Sequence, residues 1–224
     1  KEGINVGPGS SDVLVEDCES SYNNDGRGSK GDADGFSTND NTRDVTIRRC
    51  KAHHNSEDGF DCRSTGKLLI ESCVSMHNTA LGVKLWKGGE VVNTVIAFNK
   101  RGLSMGKLER EGDDASFEYI ILNCTISDNK AESLTSGQVK MIFRNCIFSG
   151  GMNTGDYPDE DYNVYCSEFS KHYITGKHSF ASCKLGFVDP DNGDFHLAAD
   201  SAAIDIGTAE NTPETDTEGN KRPA

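Results

Sequence analysis

The sequence predicts an all-β fold, a parallel β-helix, in which short strands coil about one axis. Three observations predict it. A motif anchored on cysteine recurs every 21 to 32 residues, an asparagine follows most anchors by five positions, and apolar residues alternate with polar ones inside each copy. No stretch keeps a helical apolar pattern over three turns. A repeat of about 22 residues without a helix is typical of one β-helix coil.

The anchors define the columns of the predicted coil. The copies read VLVEDCESSYNN, VTIRRCKAHHNS, LLIESCVSMHNT, YIILNCTISDNK and MIFRNCIFSGGM, and their anchors are Cys18, Cys50, Cys73, Cys124 and Cys146, with Thr94 in the anchor place of GEVVNTVIAFNK. Equivalent positions of successive coils stack at about 4.8 Å. We therefore expect a buried ladder of free thiols and a ladder of hydrogen-bonded amides from Asn23, Asn55, Asn78, Asn99 and Asn129. Stacked cysteines can reach bridging distance, so disulfides stay open.

Glycines set the register of the next strand. Gly35, Gly59, Gly82 and Gly102 each precede a short strand. Stacking these glycines puts Phe36, Phe60, Val83 and Leu103 in one inward column and Ser37, Asp61, Lys84 and Ser104 in the next, outward column.

The later part of the chain departs from the repeat. We expect residues 1–208 to form a β-helix domain that lacks N-terminal coils, and residues 209–224 to be a polar tail that trails over the surface. KLEREGDDAS (Lys107 to Ser116) is interpreted as a charged insertion, TGDYPDEDYNVYC (Thr154 to Cys166) as a long acidic turn, and DPDNGD as a turn without the Glu that closes a calcium loop. His53 and His54 are expected to be exposed in a turn, with no third histidine in their column.

Composition restricts the partners. The chain of 224 residues has 36 acidic and 23 basic residues, a net charge of -13, which argues against nucleic acid. No apolar run approaches the roughly 18 residues of a membrane helix. We expect a monomer outside the cell, and since Lys1 opens directly onto GINV, either a signal peptide was removed or the chain is a fragment.

Acidic residues cluster at one predicted turn. Asp34 and Asp58 precede their glycines on adjacent coils, Glu57 lies beside them, and Asp61 is one outward position along. Like charges at about 5 Å repel, and such groups are rarely concentrated without a counter-ion. Oxygen ligands without a nearby His or Cys favour Ca²⁺ over zinc or copper. The alternative is that these residues are solvated turn acids.

Lys84 occupies the Asp61 column one coil on. A divalent cation beside a lysine lowers the pKa of its ammonium group toward the range in which a neutral amine acts as a base. Lys84 is thus either a catalytic base or a surface lysine that offsets the acidic cluster.

The stretches ESSYNNDGRGSKGDADGFS, CKAHHNSEDGFDC, LGVKLWKGG and AFNKRGLSM resemble successive coils of polysaccharide lyase family 9, over approximately Gly3 to Leu103. The resemblance implies a right-handed parallel β-helix that cleaves acidic polysaccharides such as polygalacturonate. It implies Ca²⁺ ligands at Asp34, Glu57, Asp58 and Asp61 and a catalytic base at Lys84. Glu57 stands where the family has Asp, and Trp86 and Lys87 stand where it usually has Gly-Gly.

The function that this resemblance implies is calcium-dependent β-elimination of a uronate polymer. Basic subsites must then be supplied locally, and the candidates are Lys51, Arg63, Lys87, Lys100 and Arg101. Three alternatives stay open: a β-helix glycoside hydrolase using Asp58 and Asp61, a C5-epimerase, and a non-catalytic carbohydrate-binding β-helix.

Overall fold

The computed structural model describes residues 2–27, 31–106, 117–166 and 174–222, and within these the chain winds through three long parallel sheets. Strands are numbered β1 to β24 in chain order. Sheet 1 contains β1 (Ile4–Val6), β4 (Phe36–Thr38), β7 (Phe60–Cys62), β10 (Leu81–Leu85), β13 (Arg101–Met105), β16 (Glu132–Ser136) and β19 (Gly151–Thr154). Sheet 2 contains β2 (Ser11–Glu16), β5 (Arg43–Arg48), β8 (Thr65–Glu71), β11 (Gly89–Val92), β14 (Glu118–Leu122), β17 (Lys140–Arg144) and β20 (Asp159–Asp161). Sheet 3 contains β3 (Glu19–Ser21), β6 (Lys51–His53), β9 (Val74–Met76), β12 (Val95–Ala97), β15 (Thr125–Ser127), β18 (Ile147–Ser149), β21 (Val164–Cys166) and β22 (Phe180–Ala181).

From β1 to β21 each coil contributes one strand to each sheet, so a strand pairs with the third strand along the chain; β22 then pairs directly with β21. This arrangement confirms the predicted parallel β-helix. Among the described residues no helix has the length and apolar character that crossing a membrane requires.

The core runs along the axis and is filled by the predicted inward residues. Phe36 pairs with Phe60, Phe60 with Val83, and Val83 with Leu103, and all four are buried. The rings of Phe36 and Phe60 stack with centroids 4.9 Å apart. The glycine register is therefore confirmed, and with it the outward column of Ser37, Asp61, Lys84 and Ser104.

Both predicted ladders are present. Cys50, Cys73, Cys124 and Cys146 are buried free thiols, and the Cys50 N–H donates to Cys73 Sγ at 3.4 Å. In the amide ladder from Asn23 to Asn129, the Nδ2 of each residue donates to the Oδ1 of the next one, for example from Asn55 to Asn78 and from Asn78 to Asn99, both at 2.9 Å. The ladders satisfy buried polar groups at the corners of the coil.

At one corner of the coil, aromatic side chains stack on residues with positive φ. A third histidine belongs to this column, contrary to the expectation from the sequence. Tyr22, His54, His77 and Phe98 have φ near 57°, and their rings stack along the axis at 4.9 to 5.1 Å. His77 therefore shares the column of His54. The expectation of no third histidine was wrong, since His77 follows its anchor by four positions, as His54 does, and the in-register coils stack the two rings.

The C-terminal part differs from its sequence interpretation in one place. Residues 154–166 were expected to be an acidic turn, but they contain β20 and β21 and complete a further coil. DPDNGD is a turn, as expected: Pro190–Asn192 form one turn of 3₁₀ helix between the antiparallel strands β23 (Phe187–Asp189) and β24 (Asp194–Leu197). Residues 107–116 lie outside the described residues.

The chain after β24 folds back along the corner between sheets 2 and 3. Asn145 exchanges hydrogen bonds with Thr208, and Asn93 Nδ2 donates to the Thr215 carbonyl at 2.8 Å. Cys166 and Cys183 form a disulfide near the last coil. The division at residues 208 and 209 stays a prediction.

Candidate functional site

The candidate site lies where the chain passes from sheet 3 into sheet 1, and the glycines there allow close approach of the coils. A Cβ added to Gly35 would lie 2.7 Å from the Gly59 carbonyl oxygen and 2.9 Å from Asn55 Nδ2. A Cβ added to Gly59 would lie similarly close to the Gly82 carbonyl oxygen and to Asn78 Nδ2, at 2.6 and 2.8 Å. The glycines therefore pack directly against the amide ladder. This packing fixes the register of the residue before each glycine, which is Asp34 before Gly35 and Asp58 before Gly59.

Asp34, Glu57 and Asp58 come together at this turn. All three are buried, and one carboxylate oxygen from each lies within 4.8 Å of the others. Asp34 Oδ1 accepts the Asp58 N–H at 2.9 Å, Asp58 Oδ1 accepts the Leu81 N–H at 2.7 Å, and Glu57 Oε1 accepts the Gly31 N–H at 2.9 Å. One oxygen of each carboxylate thus accepts a backbone N–H, and the second can act as a ligand; that of Asp58, Oδ2, also lies 3.6 Å from Lys84 Nζ. We refer to these three residues as the acidic triad.

The electrostatics of the acidic triad are unfavourable without a counter-ion. Burial raises the pKa of Asp34 to about 8, and the charges of Asp58 and Asp61 contribute to the increase. Burial also raises the pKa of Asp58 to about 6, although Lys84 and the Leu81 N–H oppose it. The pKa of Glu57 is raised by burial and by Asp58. A divalent cation would compensate this cost, because it neutralises the charges that burial and mutual repulsion disfavour.

Asp61, expected as a fourth ligand, has other partners. Its Oδ1 accepts the indole N–H of Trp86, and its Oδ2 lies 3.1 Å from Arg63 Nη2. It is not part of the compact acidic triad, although its charge acts on Asp34. Trp86 and Arg63 account for the difference, since both lie on the same outward side as Asp61.

Lys84 lies next to the acidic triad, as the sequence predicted. Its Nζ is 3.6 Å from Asp58 Oδ2 and 4.4 Å from the centroid of the Trp86 ring, and 27% of its side chain is exposed. An amine therefore stands at the edge of the carboxylate cluster, on the solvent side of sheet 1.

The structure separates the five basic candidates. Arg63 pairs with Asp61, Lys87 with Asp40 at 3.0 Å and Arg101 with Glu132 at 2.8 Å, while Lys100 is exposed in the turn before β13. Lys51 does not belong with them, because it begins β6 on sheet 3 and lines a different cleft beside the C-terminal segment. The repeat placed Lys51 directly after its anchor Cys50, but it did not show that this position lies on a different sheet from Lys84.

Comparison with known proteins identifies the family. The profile described as "Right handed beta helix region" matches residues 1–100 and 40–169. The chain belongs to the right-handed β-helix family. No curated protein sequence matches it. A solved structure titled "Crystal structure of pectate lyase Pel9A" is similar with a TM-score of 0.40 and 16% sequence identity, over 84% of this chain and 72% of that chain.

Sequence reasoning missed one residue of this β-helix site. Trp86 contacts Asp61, Lys84 and Arg63, whose Cζ lies 4.9 Å from the ring centroid. The signal was available: Trp86 follows Lys84 by two positions, and residues two apart on a strand share a face. From the sequence, Trp86 was noted only because it stands where the lyase family that the chain resembles usually has Gly.

Proposed function

We propose that this right-handed β-helix protein is a calcium-dependent polysaccharide lyase that acts outside the cell, as a monomer, on a uronate-containing polysaccharide of the pectate type. The observation that carries the proposal is a buried triad of carboxylates with an amine 3.6 Å from one of them on the outer face of sheet 1. The resemblance of Gly3 to Leu103 to polysaccharide lyase family 9 supports the same assignment.

The acidic triad fits Ca²⁺ in its chemistry. Its donors are carboxylate oxygens, which Ca²⁺ prefers, and each residue keeps one oxygen beyond its backbone hydrogen bond. Asp34, Glu57 and Asp58 would hold the ion. Asp61 would join them only after releasing Trp86 and Arg63, so we propose a site that rests on three protein carboxylates. A bound Ca²⁺ would neutralise the uronate carboxylate and make its neighbouring C5 proton more acidic.

Lys84 is the residue we propose as the base. Its Nζ takes the C5 proton, the C–H electrons form the C4–C5 double bond, and the C4–O bond breaks. The leaving oxygen receives a proton from solvent. Asp58 positions Lys84 through the contact between Oδ2 and Nζ, and the Trp86 ring packs against Nζ. Lys84 acts as the base in its neutral amine form.

Four of the basic residues keep a proposed role at the rim of the site. Lys100 is exposed in its turn, whereas Arg63, Lys87 and Arg101 each pair with an acid of the chain. A substrate carboxylate would have to compete with those partners. Lys100 is therefore the residue we expect to contact substrate most directly.

Product analysis tests the proposal. The protein is incubated with a panel of uronate polymers, with calcium or with a chelator, and ultraviolet absorbance of the unsaturated product is followed. Calcium-dependent absorbance supports the lyase. A saturated reducing end indicates a hydrolase, an altered uronate without cleavage indicates an epimerase, and binding without product indicates a carbohydrate-binding protein; each of these results would overturn the proposal.

A further inference from the structure

A groove continues from Lys84 toward the C-terminal coils on the outer face of sheet 1. Its volume is about 250 Å³. The groove floor is the continuation of the Lys84 column, in which Ser104, Thr135 and Asn153 pair in register on β13, β16 and β19. Trp86 lines one side, and Arg101 with Glu132 lines the other. The groove is thus continuous with the candidate catalytic lysine but lies on the side away from the acidic triad.

Beyond Lys84 at its end, the groove offers no net charge to a ligand. Among its described lining residues beyond Lys84, the charged groups are Arg101 and Glu132, and they form an ion pair at 2.8 Å. The groove floor presents hydroxyl and amide groups, which both donate and accept hydrogen bonds. A carboxylate placed beyond Lys84 would lose hydration and would meet only a cation that is already paired, Arg101. The groove therefore favours a neutral polar ligand.

Trp86 adds an apolar wall to this polar floor. Arg63 and Lys84 lie 4.9 and 4.4 Å from its ring centroid and hold the indole in place. A wall of aromatic carbon facing a few hydrogen-bonding groups suits a ligand with an apolar face and polar edges. A pyranose ring has this form, with C–H groups on its faces and hydroxyls on its edge.

We propose that the groove binds a neutral sugar unit next to the uronate, so that the preferred substrate is a heteropolymer in which a uronic acid alternates with a neutral sugar. This inference rests on the proposed lyase function and specifies its substrate class. The acidic triad takes the uronate, and the groove takes the neutral neighbour across the bond that is broken. A homopolymer would place a second carboxylate in the uncharged groove.

Two substrates and one variant test this inference. An alternating galacturonate–rhamnose polymer and polygalacturonate are compared by the kcat/KM for unsaturated product. We expect the alternating polymer to be preferred by about tenfold. Asn153→Lys places a cation in the groove at an exposed position, and it should reduce that preference about tenfold by improving cleavage of the homopolymer. Ser11→Lys, on an exposed residue of sheet 2, adds the same charge elsewhere and should leave the preference unchanged.

The outcomes separate the two proposals. If polygalacturonate is cleaved as well as the alternating polymer, and Asn153→Lys changes nothing, the groove assignment is overturned and the lyase stands. If neither polymer gives unsaturated product, both are overturned. Emission from Trp86, the single tryptophan of the chain, gives a second readout in the Lys84→Ala variant. Alternating oligosaccharides should shift it at concentrations where oligogalacturonate does not, and equal shifts with both would contradict the inference.

Discussion

Asp58 has two tasks, one for each carboxylate oxygen. Oδ1 accepts the Leu81 N–H of the next coil at 2.7 Å, and Oδ2 faces Lys84 Nζ at 3.6 Å. A substitution at Asp58 therefore disturbs the turn and the candidate site together. Lys84 and Asp34 are better probes, because a conservative change at either keeps its structural contact.

Lys84→Arg should abolish activity while leaving the fold intact. The guanidinium retains a positive charge for Asp58 but stays protonated at accessible pH, so it cannot take a proton from substrate. Loss of a positioned base costs about 10² to 10⁴ in rate. The measurement is kcat on the best uronate polymer, with Tm as the check of folding. Lys67→Arg is the matched control, since Lys67 is exposed on β8 of sheet 2, away from the site. Wild-type turnover in Lys84→Arg would remove Lys84 from the mechanism.

Asp34→Asn should change stability in opposite directions with and without calcium. The amide oxygen can still accept the Asp58 N–H, while the variant avoids the cost of an acid whose pKa is raised to about 8 and which must take up a proton to be buried at neutral pH. In chelator at neutral pH we expect Tm to rise above wild type. Saturating calcium stabilises a protein with an intact site by about 3 kcal/mol at one hundred times Kd, which for a chain of this size corresponds to about 5–10 °C.

That calcium increment should be largely lost in Asp34→Asn and kept in Asp12→Asn, a control at an exposed residue of sheet 2. Scanning calorimetry of the three proteins in chelator and in calcium measures both effects. An unchanged calcium increment in Asp34→Asn would show that the acidic triad does not bind the ion.

The strand β20 is the last strand of sheet 2, and an acidic residue occupies its inward position. Glu160 pairs with Phe143 in the inward column, where the preceding coils have apolar residues. Its carboxylate accepts hydrogen bonds from the Thr175 N–H, Asn163 Nδ2 at 3.0 Å and the Tyr165 hydroxyl at 3.1 Å, among others. Burial favours the neutral acid, but these bonds outweigh it and lower the pKa of Glu160 below its usual value. The inward column of sheet 2 therefore ends at a charged residue whose two carboxylate oxygens accept hydrogen bonds.

Glu160→Gln should destabilise the protein at neutral pH by about 1–3 kcal/mol, because the amide nitrogen cannot accept the bonds that a carboxylate oxygen accepts. Since the folded pKa is lowered, the stabilisation by Glu160 is fully present above the ordinary pKa of about 4.5 and is lost as pH falls through the folded value. The difference between wild type and variant should thus shrink below about pH 4. Urea unfolding from pH 7 to 3 measures it, with exposed Glu210→Gln as the control; a difference independent of pH would contradict the role of the charge.

Over the whole molecule, each coil is stabilised mainly by its contacts with the adjacent coils. Each coil contacts its neighbours through the three sheets and the two ladders, so the central coils are supported on both sides and the terminal coils on one. The C-terminal segment adds a longer connection, because Asn93 and Asn145, which bind it, lie on coils that are not adjacent.

The reactivity of the ladder cysteines should measure this distribution of stability along the coil. Cys73 and Cys124 are fully buried in central coils, whereas Cys18 in the first complete coil is partly exposed. We expect Cys18 to react with a thiol reagent in native buffer and Cys73 and Cys124 to react only as urea unfolds the central coils. Mass spectrometry of pulse-labelled protein measures each site, and full denaturation provides the control. Labelling of Cys73 at the native rate of Cys18 would contradict the ladder.

The repeat pattern was sufficient to predict which residues stack in columns along the coil. Each coil repeats the same positions, and parallel strands stack in register, so matching the anchors and glycines was enough to place Phe36 under Phe60 and Asp34 beside Asp58. The juxtaposition of Lys84 with the acidic triad followed from the same register. Periodicity fixes position along the axis because backbone hydrogen bonding between coils permits little slippage once one face is buried.

The partners of individual side chains and the paths of the irregular segments became visible in the three-dimensional structure alone. It turned Asp61 toward Trp86 and Arg63, put Lys51 on another sheet, and bound the C-terminal segment to Asn93. It also made residues 159–161 a strand, although Glu160 breaks the apolar pattern. These outcomes depend on side chains from distant parts of the chain competing for the same groups, and a repeat pattern contains no information about that competition.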